Sequence, residues 1–384
     1  MQLHLPEPTT DALAASRALE DLIAADIRQQ GGWIPFARYM ELALYAPHLG
    51  YYSGGAAKLG KDGDFTTAPE ITPLFGETLA QVAADLMRQS APQILEFGAG
   101  SGKLAHAILS ELARLGQPLE RYSIVEISAE LRARQEALLR DFPQVHWLDQ
   151  LPHAFSGVVL GNEVLDAMPV QLVVKTEAGW QQRGVVLSDT AAAKFGYRDR
   201  SCAPSLVEQI PDAAALPVGY LTEVHPTGIA FIATLSRMLG AGDGGAALLF
   251  DYGFPAHEYY LPQRAQGTLM CHYRHHSHDD PLFLPGLQDV TAHVDFTAMA
   301  RVALDNGLDL LGYTSQAAFL IEAGIADLLM RTPPSNAARY LPQANALQKL
   351  VSPAEMGELF KVLTVGKNVR LPEKFERNDR SGRL

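Results

Sequence analysis

The chain has 384 residues, 47% hydrophobic and 19% charged, a balance typical of a globular protein with one large core or two smaller ones. Its formal net charge of -12 repels phosphate backbones and no basic run offsets it, so we expect no nucleic-acid partner. Only Cys202 and Cys271 are present, which excludes a disulfide framework and predicts a cytoplasmic location. We find neither a secretory signal nor an 18-residue apolar run, so no membrane span is expected.

Helical spacing of apolar residues predicts the first elements of the chain. The predicted helices cover residues 10–30, 36–45 and about 71–89. From residue 93 the pattern changes to strand, glycine turn, helix and strand, in the segments QILEF, KLAHAILSELARLG, YSIVEI and SAELRARQEALLRDF. This alternation predicts parallel strands joined by right-handed crossovers.

Short buried strands are predicted next, at VHWL, GVVLG and AALLFDYG. Extended segments at 170–187 and 219–224 are inserted between them and suggest a lid or a substrate platform. Residues 254–295 are rich in His, Pro and Gly with little periodicity, which in a compact enzyme is typical of a functional loop.

The last part of the chain returns to regular periodicity. Helices are predicted near 296–306, 316–330 and 335–349, followed by a strand at FKVLTV. We therefore predict a helical extension with a ligand-covering loop over residues 1–90. Residues 91–384 are predicted to form a sheet domain, and its insertions lie at about 170–224 and 254–295.

Three glycines lie between a strand and a helix in the segment EFGAGSGK, residues 96–103. A dinucleotide fingerprint needs a glycine where Lys103 stands. A Walker loop needs a glycine where Phe97 stands and a hydroxyl where Leu104 stands. The remaining candidate is the loop of S-adenosylmethionine enzymes, in which glycine lets the amino-acid part of the ligand lie against bare backbone.

Two carboxylates accompany this loop. Glu96 can pair with the ammonium of the ligand, directly or through water. Glu126 ends the apolar strand YSIVE, 24 residues after Gly102, where an acid can accept both ribose hydroxyls. NAD enzymes use an acid in the same way, so Glu126 alone does not separate the two ligands. A solvated charge at the strand end also stays open for Glu126.

Three further blocks resemble a known family: LYAPHLGYYS with GKDGDFTTAPEITPLFGE, then GNEVLDAMPV, then DYGF with GTLMCHYRHHSHDDPLFLPGLQDVTAHVDF. From about residue 30 onward the chain closely resembles the MidA family of class I methyltransferases, whose mitochondrial member acts in respiratory complex I assembly by symmetrically dimethylating a protein arginine. The resemblance implies an α/β fold with a Rossmann-like seven-stranded sheet, a helical N-terminal extension and inserted segments. It also implies S-adenosyl-L-methionine as cofactor.

The resemblance assigns two groups of residues to the methyl donor. The first group forms the loop and its acids, and the second belongs to the segment GDFTTAPE, which is expected to close over the donor. They are Glu96, Gly98, Ala99, Gly100, Gly102 and Glu126 in the first group, and Asp64, Thr67, Pro69 and Glu70 in the second.

Acids after the fourth strand are the candidates for the substrate site. Glu163 and Asp166 follow GVVLGN near the carboxyl end of the sheet, where such folds place ligands. A guanidinium is charged at neutral pH, and paired carboxylates can orient it and hold its charge away from the attacking nitrogen. Asn162 adds an amide beside them, and His225 in EVHP can receive the released proton. A capping Asp166, a solvated Glu163 and a packed His225 stay open.

No metal site is expected, because the histidine-rich segment 272–278 lacks a second ligand pair and methyl transfer needs no metal. We interpret this segment as an ordered substrate-side loop. The leading hypothesis is a methyltransferase whose partner is an arginine-bearing protein, such as a respiratory-complex subunit. The alternatives are a donor-binding assembly chaperone for such a subunit and a small-molecule methyltransferase. The oligomeric state, including a homodimer, is not predicted.

Overall fold

The computed structural model describes residues 5–54, 66–190 and 193–384. The chain divides into two compact units of three segments each. The segments of the first unit are Met1–Phe65, Asp166–Ile229 and Ala256–Val294, and those of the second are Thr66–Leu165, Ala230–Pro255 and Asp295–Leu384. The expected boundary at residue 90 stays a prediction, and the compact units divide the chain at other positions.

The elements of the described residues are numbered in chain order. The strands are β1 (Ile34–Pro35), β2 (Gln93–Phe97), β3 (Arg121–Val125), β4 (Val145–Trp147), β5 (Gly157–Asn162), β6 (Gln171–Thr176), β7 (Gly179–Leu187), β8 (Phe195–Ser201), β9 (Leu221–Val224), β10 (Gly245–Phe254), β11 (Met270–Tyr273), β12 (His276–His278), β13 (Asp289–Thr291), β14 (Val294–Asp295), β15 (Asp309–Ser315) and β16 (Phe360–Lys367). The helices are α1 (Thr10–Gln29), α2 (Phe36–Tyr45), α3 (Ala68–Ile71), α4 (Pro73–Met87), α5 (Lys103–Leu115), α6 (Ala129–Leu139), α7 (Pro204–Val207), α8 (Pro226–Gly240), α9 (Ala256–Tyr259), α10 (Phe296–Asp305), α11 (Gln316–Ala323), α12 (Ile325–Leu329), α13 (Ala337–Val351) and α14 (Met356–Leu359).

A mixed sheet forms the centre of the second unit, with the strand order β15-β16-β10-β5-β2-β3-β4. The pairs from β10 to β4 are parallel, and β16 runs antiparallel to both β10 and β15. Counted from β2 as the first strand, the order is 3-2-1-4-5-7-6. These seven strands form the predicted Rossmann-like arrangement, and the predicted fold class is confirmed. The short strand β14 pairs with β10 off this path, which gives the sheet eight strands. Its sixth strand, β15, was not predicted from its segment DLLGYTS.

Helices α4 and α5 cover the sheet of this unit. Pro73 occupies the first turn of α4, and the Thr72 side chain accepts a hydrogen bond from the Leu74 N–H at 3.3 Å, which caps the helix. Phe75 on this helix packs edge to face on Phe250 of β10, with ring centroids 5.4 Å apart. The apolar face of α4 thus fixes the helix layer against the strands that lead to the candidate site.

The first unit is built on a separate sheet, ordered β1-β7-β6-β9, and β8 pairs with β7 off this path. The predicted extended segments are its strands β6, β7 and β9. Leu19, Ile23 and Ile27 lie one helical turn apart on the buried face of α1, and the Tyr39 hydroxyl of α2 donates to the Pro281 carbonyl at 2.7 Å. These contacts bury the N-terminal helices of the unit.

Residues 254–295 are more regular than predicted, because they include α9 and the sheet β12-β11-β13. Strands of three or four residues are too short to produce a recognisable alternation. In the described part of the chain, no helix has both the length and the apolar character needed to cross a membrane.

Replacement of Gly76 should destabilise the helix layer. A Cβ at Gly76 would lie 2.6 Å from the Cβ of Ala107, so the substitution Gly76→Val overpacks the contact between α4 and α5. We expect a loss of about 2–3 kcal/mol in the free energy of unfolding, measured by urea denaturation. Gly240→Val is the matched control, since among the described residues no atom outside its chain neighbours and its own helix backbone lies within 4 Å of a Cβ there. Equal losses for the two variants would contradict this account of the packing.

Candidate functional site

A left-handed bend follows the first strand of the central sheet. Gly98, Gly100 and Gly102 have φ angles of 62°, 53° and 84°, which residues with a Cβ adopt only under strain. The Gly98 N–H donates to the Val125 carbonyl at 3.0 Å, and the Gly102 N–H donates to the Ala99 carbonyl at 2.8 Å. Gly102 is also the N-cap of α5. The bend therefore places bare backbone at the carboxyl edge of the sheet, beside a helix N-terminus.

Glu96 lies under this bend and is 2% exposed. Its Oε2 accepts a hydrogen bond from the Tyr122 hydroxyl at 2.8 Å. Burial raises the pKa of Glu96 to about 7, the hydrogen bond from Tyr122 opposes this shift, and the nearby charge of Glu126 adds to it. The side chain therefore changes its charge near neutral pH, and a neighbouring cation would favour the ionised form.

Glu126 lies directly after β3, the neighbour of β2. Its Oε1 accepts from the Ser128 N–H at 2.8 Å, and its Oε2 accepts from the Gln135 amide at 2.9 Å. Burial raises the pKa of Glu126, although these hydrogen bonds oppose the shift. The next residue, Ile127, is 70% exposed. Glu126 and Ile127 therefore place a hydrogen-bond acceptor next to an exposed apolar side chain.

Gln135 connects these parts of the site, and our sequence reasoning missed it. The side chain is buried on α6, and its Nε2 donates to the Gly100 carbonyl and to Glu126, each at 2.9 Å. Its Oε1 accepts from the Trp147 indole at 2.9 Å. Four of the nine residues in the surrounding segment RARQEALLR are charged, so no local pattern marks this glutamine as buried.

The predicted covering segment also contacts the bend. Thr67 is the N-cap of α3 and Pro69 lies in its first turn. The Glu70 carboxylate accepts hydrogen bonds from the Ser101 hydroxyl and from the Lys103 ammonium, the latter at 2.5 Å. Glu70 therefore holds the glycine bend itself. Of the residues predicted to cover the methyl donor, Asp64 lies outside the described residues.

Asn162 and Glu163 lie together at the end of β5. The Asn162 amide donates to the Glu163 carboxylate at 3.0 Å. Glu163 has a φ of 55°, a conformation that costs a residue with a side chain about 1–3 kcal/mol. Its N–H donates to the Phe250 carbonyl at 2.8 Å, which helps to impose this backbone. Strain of this kind concentrates at functional positions.

Asp251 fixes the turn that follows Glu163. This buried carboxylate accepts from the Val164 and Leu165 N–H groups at 3.1 and 2.8 Å, and from the Tyr252 N–H at 3.0 Å. The DYGF segment resembled the family, but its aspartate received no role from the sequence. The structure assigns it the support of the loop that carries Glu163.

Asp166 and His225 belong to the first unit. Asp166 is 3% exposed, and its carbonyl accepts from the Ala292 N–H at 3.0 Å. The His225 ring packs on Gly228, where a Cβ would lie 2.8 Å from the ring. Burial lowers the pKa of His225 to about 4, and the backbone of Met168 acts in the opposite direction. His225 is therefore neutral at neutral pH.

The profile of a family described as S-adenosyl-L-methionine-dependent methyltransferases matches residues 74–314, a range that contains the glycine bend, Glu126 and the loop after β5. The chain belongs to this methyltransferase family. The resemblance noted in the sequence is thereby confirmed.

Individual relatives agree with this assignment. A crystal structure of a methyltransferase from Burkholderia thailandensis, bound to S-adenosyl-homocysteine, is 52% identical, covers 99% of this chain and 100% of its own, and superposes with a TM-score of 0.92. Protein arginine methyltransferase NDUFAF7, mitochondrial, is 30% identical both in Danio rerio, over 89% of this chain and 86% of the relative, and in Homo sapiens, over 92% and 84%. The protein is an S-adenosylmethionine-dependent methyltransferase, as predicted, and S-adenosyl-L-methionine is its cofactor.

The predicted cytoplasmic location is wrong in the light of the NDUFAF7 relatives, whose names place them in mitochondria. The prediction depended on the presence of only two cysteines. A low cysteine count indicates that a chain needs no disulfide framework, and this property does not separate one reducing compartment from another.

Burial of His225 should make the stability of this methyltransferase fall in acid. Its pKa is about 4 in the folded chain and about 6.5 when unfolded, so the unfolded state takes up a proton first as the pH falls. We expect His225 to contribute a loss of about 2 kcal/mol between pH 7 and pH 5. The measurement is urea unfolding at both pH values, compared with His225→Asn, which should lose less. The same pH dependence in both proteins would contradict this assignment.

Proposed function

We propose that this methyltransferase binds its cofactor across the glycine bend and methylates an arginine of a protein substrate. The observation that carries the proposal is the bend itself, where three left-handed glycines directly follow the first strand and Glu126 lies at the end of the neighbouring strand. Open sheets of this kind bind nucleotide ligands at the carboxyl ends of their strands, where the strand order reverses. In this sheet the reversal lies between β2 and β5.

The residues around the bend match the chemical groups of the cofactor. The backbone of Gly98, Ala99, Gly100 and Gly102 receives the amino-acid part, and Glu96 attracts its ammonium through a bridging water, because the carboxylate is almost fully buried. The Glu126 carboxylate accepts the ribose hydroxyls with lone pairs that Ser128 and Gln135 leave available. The exposed Ile127 side chain covers the adenine. When bound, S-adenosylmethionine supplies an electrophilic methyl group.

The segment before α4 completes the methyl-donor side of the proposal. Thr67, Pro69 and Glu70 cover the bound cofactor, as the resemblance implies, with Asp64 as the fourth member. The contacts of Glu70 with Ser101 and Lys103 support this role, because they join the covering segment to the bend. Exclusion of water by such a segment strengthens electrostatic interactions in the site.

On the acceptor side, we assign Glu163, Asn162 and Asp166 to the guanidinium. Glu163 is supported by its strained backbone and by the turn that Asp251 fixes, since catalytic groups require a defined orientation. Two carboxylates can hold the planar guanidinium by bidentate hydrogen bonds. They also favour the positive charge that grows during transfer.

His225 is the proposed acceptor of the proton that leaves after methyl transfer. It is neutral at neutral pH, as an acceptor must be, and its low pKa makes it a weak base. A weak base is sufficient here, because a guanidinium that has gained a methyl group carries two positive charges and releases a proton readily. Its position at the end of β9, directly before α8, is defined by the strand.

The identity of the acceptor is proposed from the relatives. NDUFAF7 proteins carry arginine methyltransferase in their names, and the MidA resemblance implies a respiratory-complex subunit. We propose an arginine-bearing protein of this kind as the partner. The proposed acids favour a cationic acceptor over a neutral one, because a carboxylate binds a guanidinium through charge-assisted hydrogen bonds.

Removal of the Glu126 carboxylate should weaken cofactor binding. We expect Glu126→Ala to raise the Kd for S-adenosylmethionine roughly 10- to 100-fold, since two charged hydrogen bonds to the ribose are lost. Titration calorimetry measures this, with NAD as a ligand that should produce no heat. Glu136→Ala on the following helix, α6, is the control, because the Glu136 side chain is 50% exposed and its surface ion pair with Arg132 contributes little energy. Unchanged affinity in Glu126→Ala would refute the proposed site.

Loss of the Glu163 charge should affect catalysis and spare the cofactor. We expect Glu163→Gln to reduce methylation about 100-fold or more, with cofactor affinity within a factor of about two of the original. The assay incubates the enzyme with labelled cofactor and a lysate lacking this protein, and mass spectrometry detects arginines heavier by about 14 or 28 mass units. Glu177→Gln, in the exposed turn between β6 and β7, is the control. Label confined to lipids or metabolites would overturn the protein acceptor.

A further inference from the structure

We infer that Gln135 is a positioning residue for the methyl donor, which sets the distance between the glycine bend and the ribose acid. The inference rests on the proposed function, because it requires the cofactor to lie across Gly100 and Glu126. Gln135 itself is fully buried, so it acts on the cofactor indirectly, through its hydrogen bonds to Gly100 and Glu126.

The hydrogen bonds of Gln135 use both the nitrogen and the oxygen of its amide. One Nε2 hydrogen is donated to the Gly100 carbonyl and the other to the Glu126 carboxylate, while the Oε1 accepts from Trp147. Gly100 belongs to the part of the site assigned to the amino-acid group, and Glu126 to the part assigned to the ribose. A single rigid amide therefore connects the two ends of the binding surface.

Trp147 fixes the orientation of this amide. An indole N–H only donates, so it must face the Oε1 atom, and both amide hydrogens are then directed to Gly100 and Glu126. An ionised Glu126 only accepts, so it agrees with the same orientation. The Gln135 side chain also packs beside the bend, because a Cβ on Gly102 would lie 3.4 Å from its Cγ. Three neighbours thus select one rotamer and one amide orientation.

A positioning role for Gln135 can be distinguished from a purely structural one, in which its hydrogen bonds only compensate a buried amide. A purely structural glutamine would stabilise the fold. Its loss would lower the free energy of unfolding without a selective effect on the KM for the cofactor. A positioning residue holds Gly100 and Glu126 in the geometry that the cofactor requires, so its loss should appear in the KM for the cofactor, while kcat at saturation is retained.

The test compares steady-state kinetics of Gln135→Met and Gln135→Glu. The methionine keeps the volume and loses all three hydrogen bonds, and the glutamate keeps the acceptor for Trp147 but, when ionised, loses both N–H donors. We expect both variants to raise the KM for S-adenosylmethionine about 10- to 100-fold, with kcat within about twofold of the original. Trp147→Phe, which frees the amide to rotate, should raise the KM by a smaller factor.

Two controls separate the possible failures. Gln81→Met removes the hydrogen bond of another glutamine of this unit, to Glu111, and should leave the KM unchanged. If Glu126→Ala raises the KM and Gln135→Glu does not, the inference about Gln135 is overturned and the proposed site stands. If neither variant raises the KM, the proposed site is overturned. Should Gln135→Met fail to fold, Gln135→Glu and Trp147→Phe decide the question, and a fall in kcat alone in both would overturn the inference.

Discussion

The conformation of the glycine bend is the constraint on which the rest of the site depends. Strand β2 must turn into α5 within a few residues, and left-handed backbone makes this possible while leaving peptide groups uncovered by side chains. The groups around the bend follow from this choice. Glu70 and Gln135 approach its backbone and its neighbours closely, and Glu96 lies buried beneath it. A site built on backbone geometry in this way is defined before any ligand arrives.

Much of this arrangement could be predicted because it depends on local signals. The glycine spacing, the apolar strand before it and the acid at the end of the next strand are all close in sequence, and together they indicated the cofactor. The cap of α10 is equally local, because the Asp295 side chain accepts from the Ala298 N–H three residues later at 3.2 Å. Fold class followed from the same alternation of strands and helices, with support from the family resemblance.

Other features depend on contacts between distant residues and left no local signal. Gln135 is buried because Gly100 and Trp147 contact it in the folded chain, although both of its sequence neighbours, Arg134 and Glu136, are charged. Asp251 supports a turn 86 residues earlier in the chain, at Leu165. The left-handed backbone of Glu163 was equally hidden, because glutamate has no preference for that conformation and neighbouring strands impose it.

The interleaving of the two units has a consequence for synthesis of the chain. In the first unit, the Ser16 hydroxyl donates to the Pro285 carbonyl at 2.9 Å, across 269 residues of sequence. Leu19 on the same helix packs beside Gly286. During translation at about 5–20 residues per second, the apolar face of α1 therefore waits many seconds for its partners to emerge from the ribosome. The nascent chain carries an aggregation-prone surface through most of its own production, and its folding speed is limited by this long-range closure.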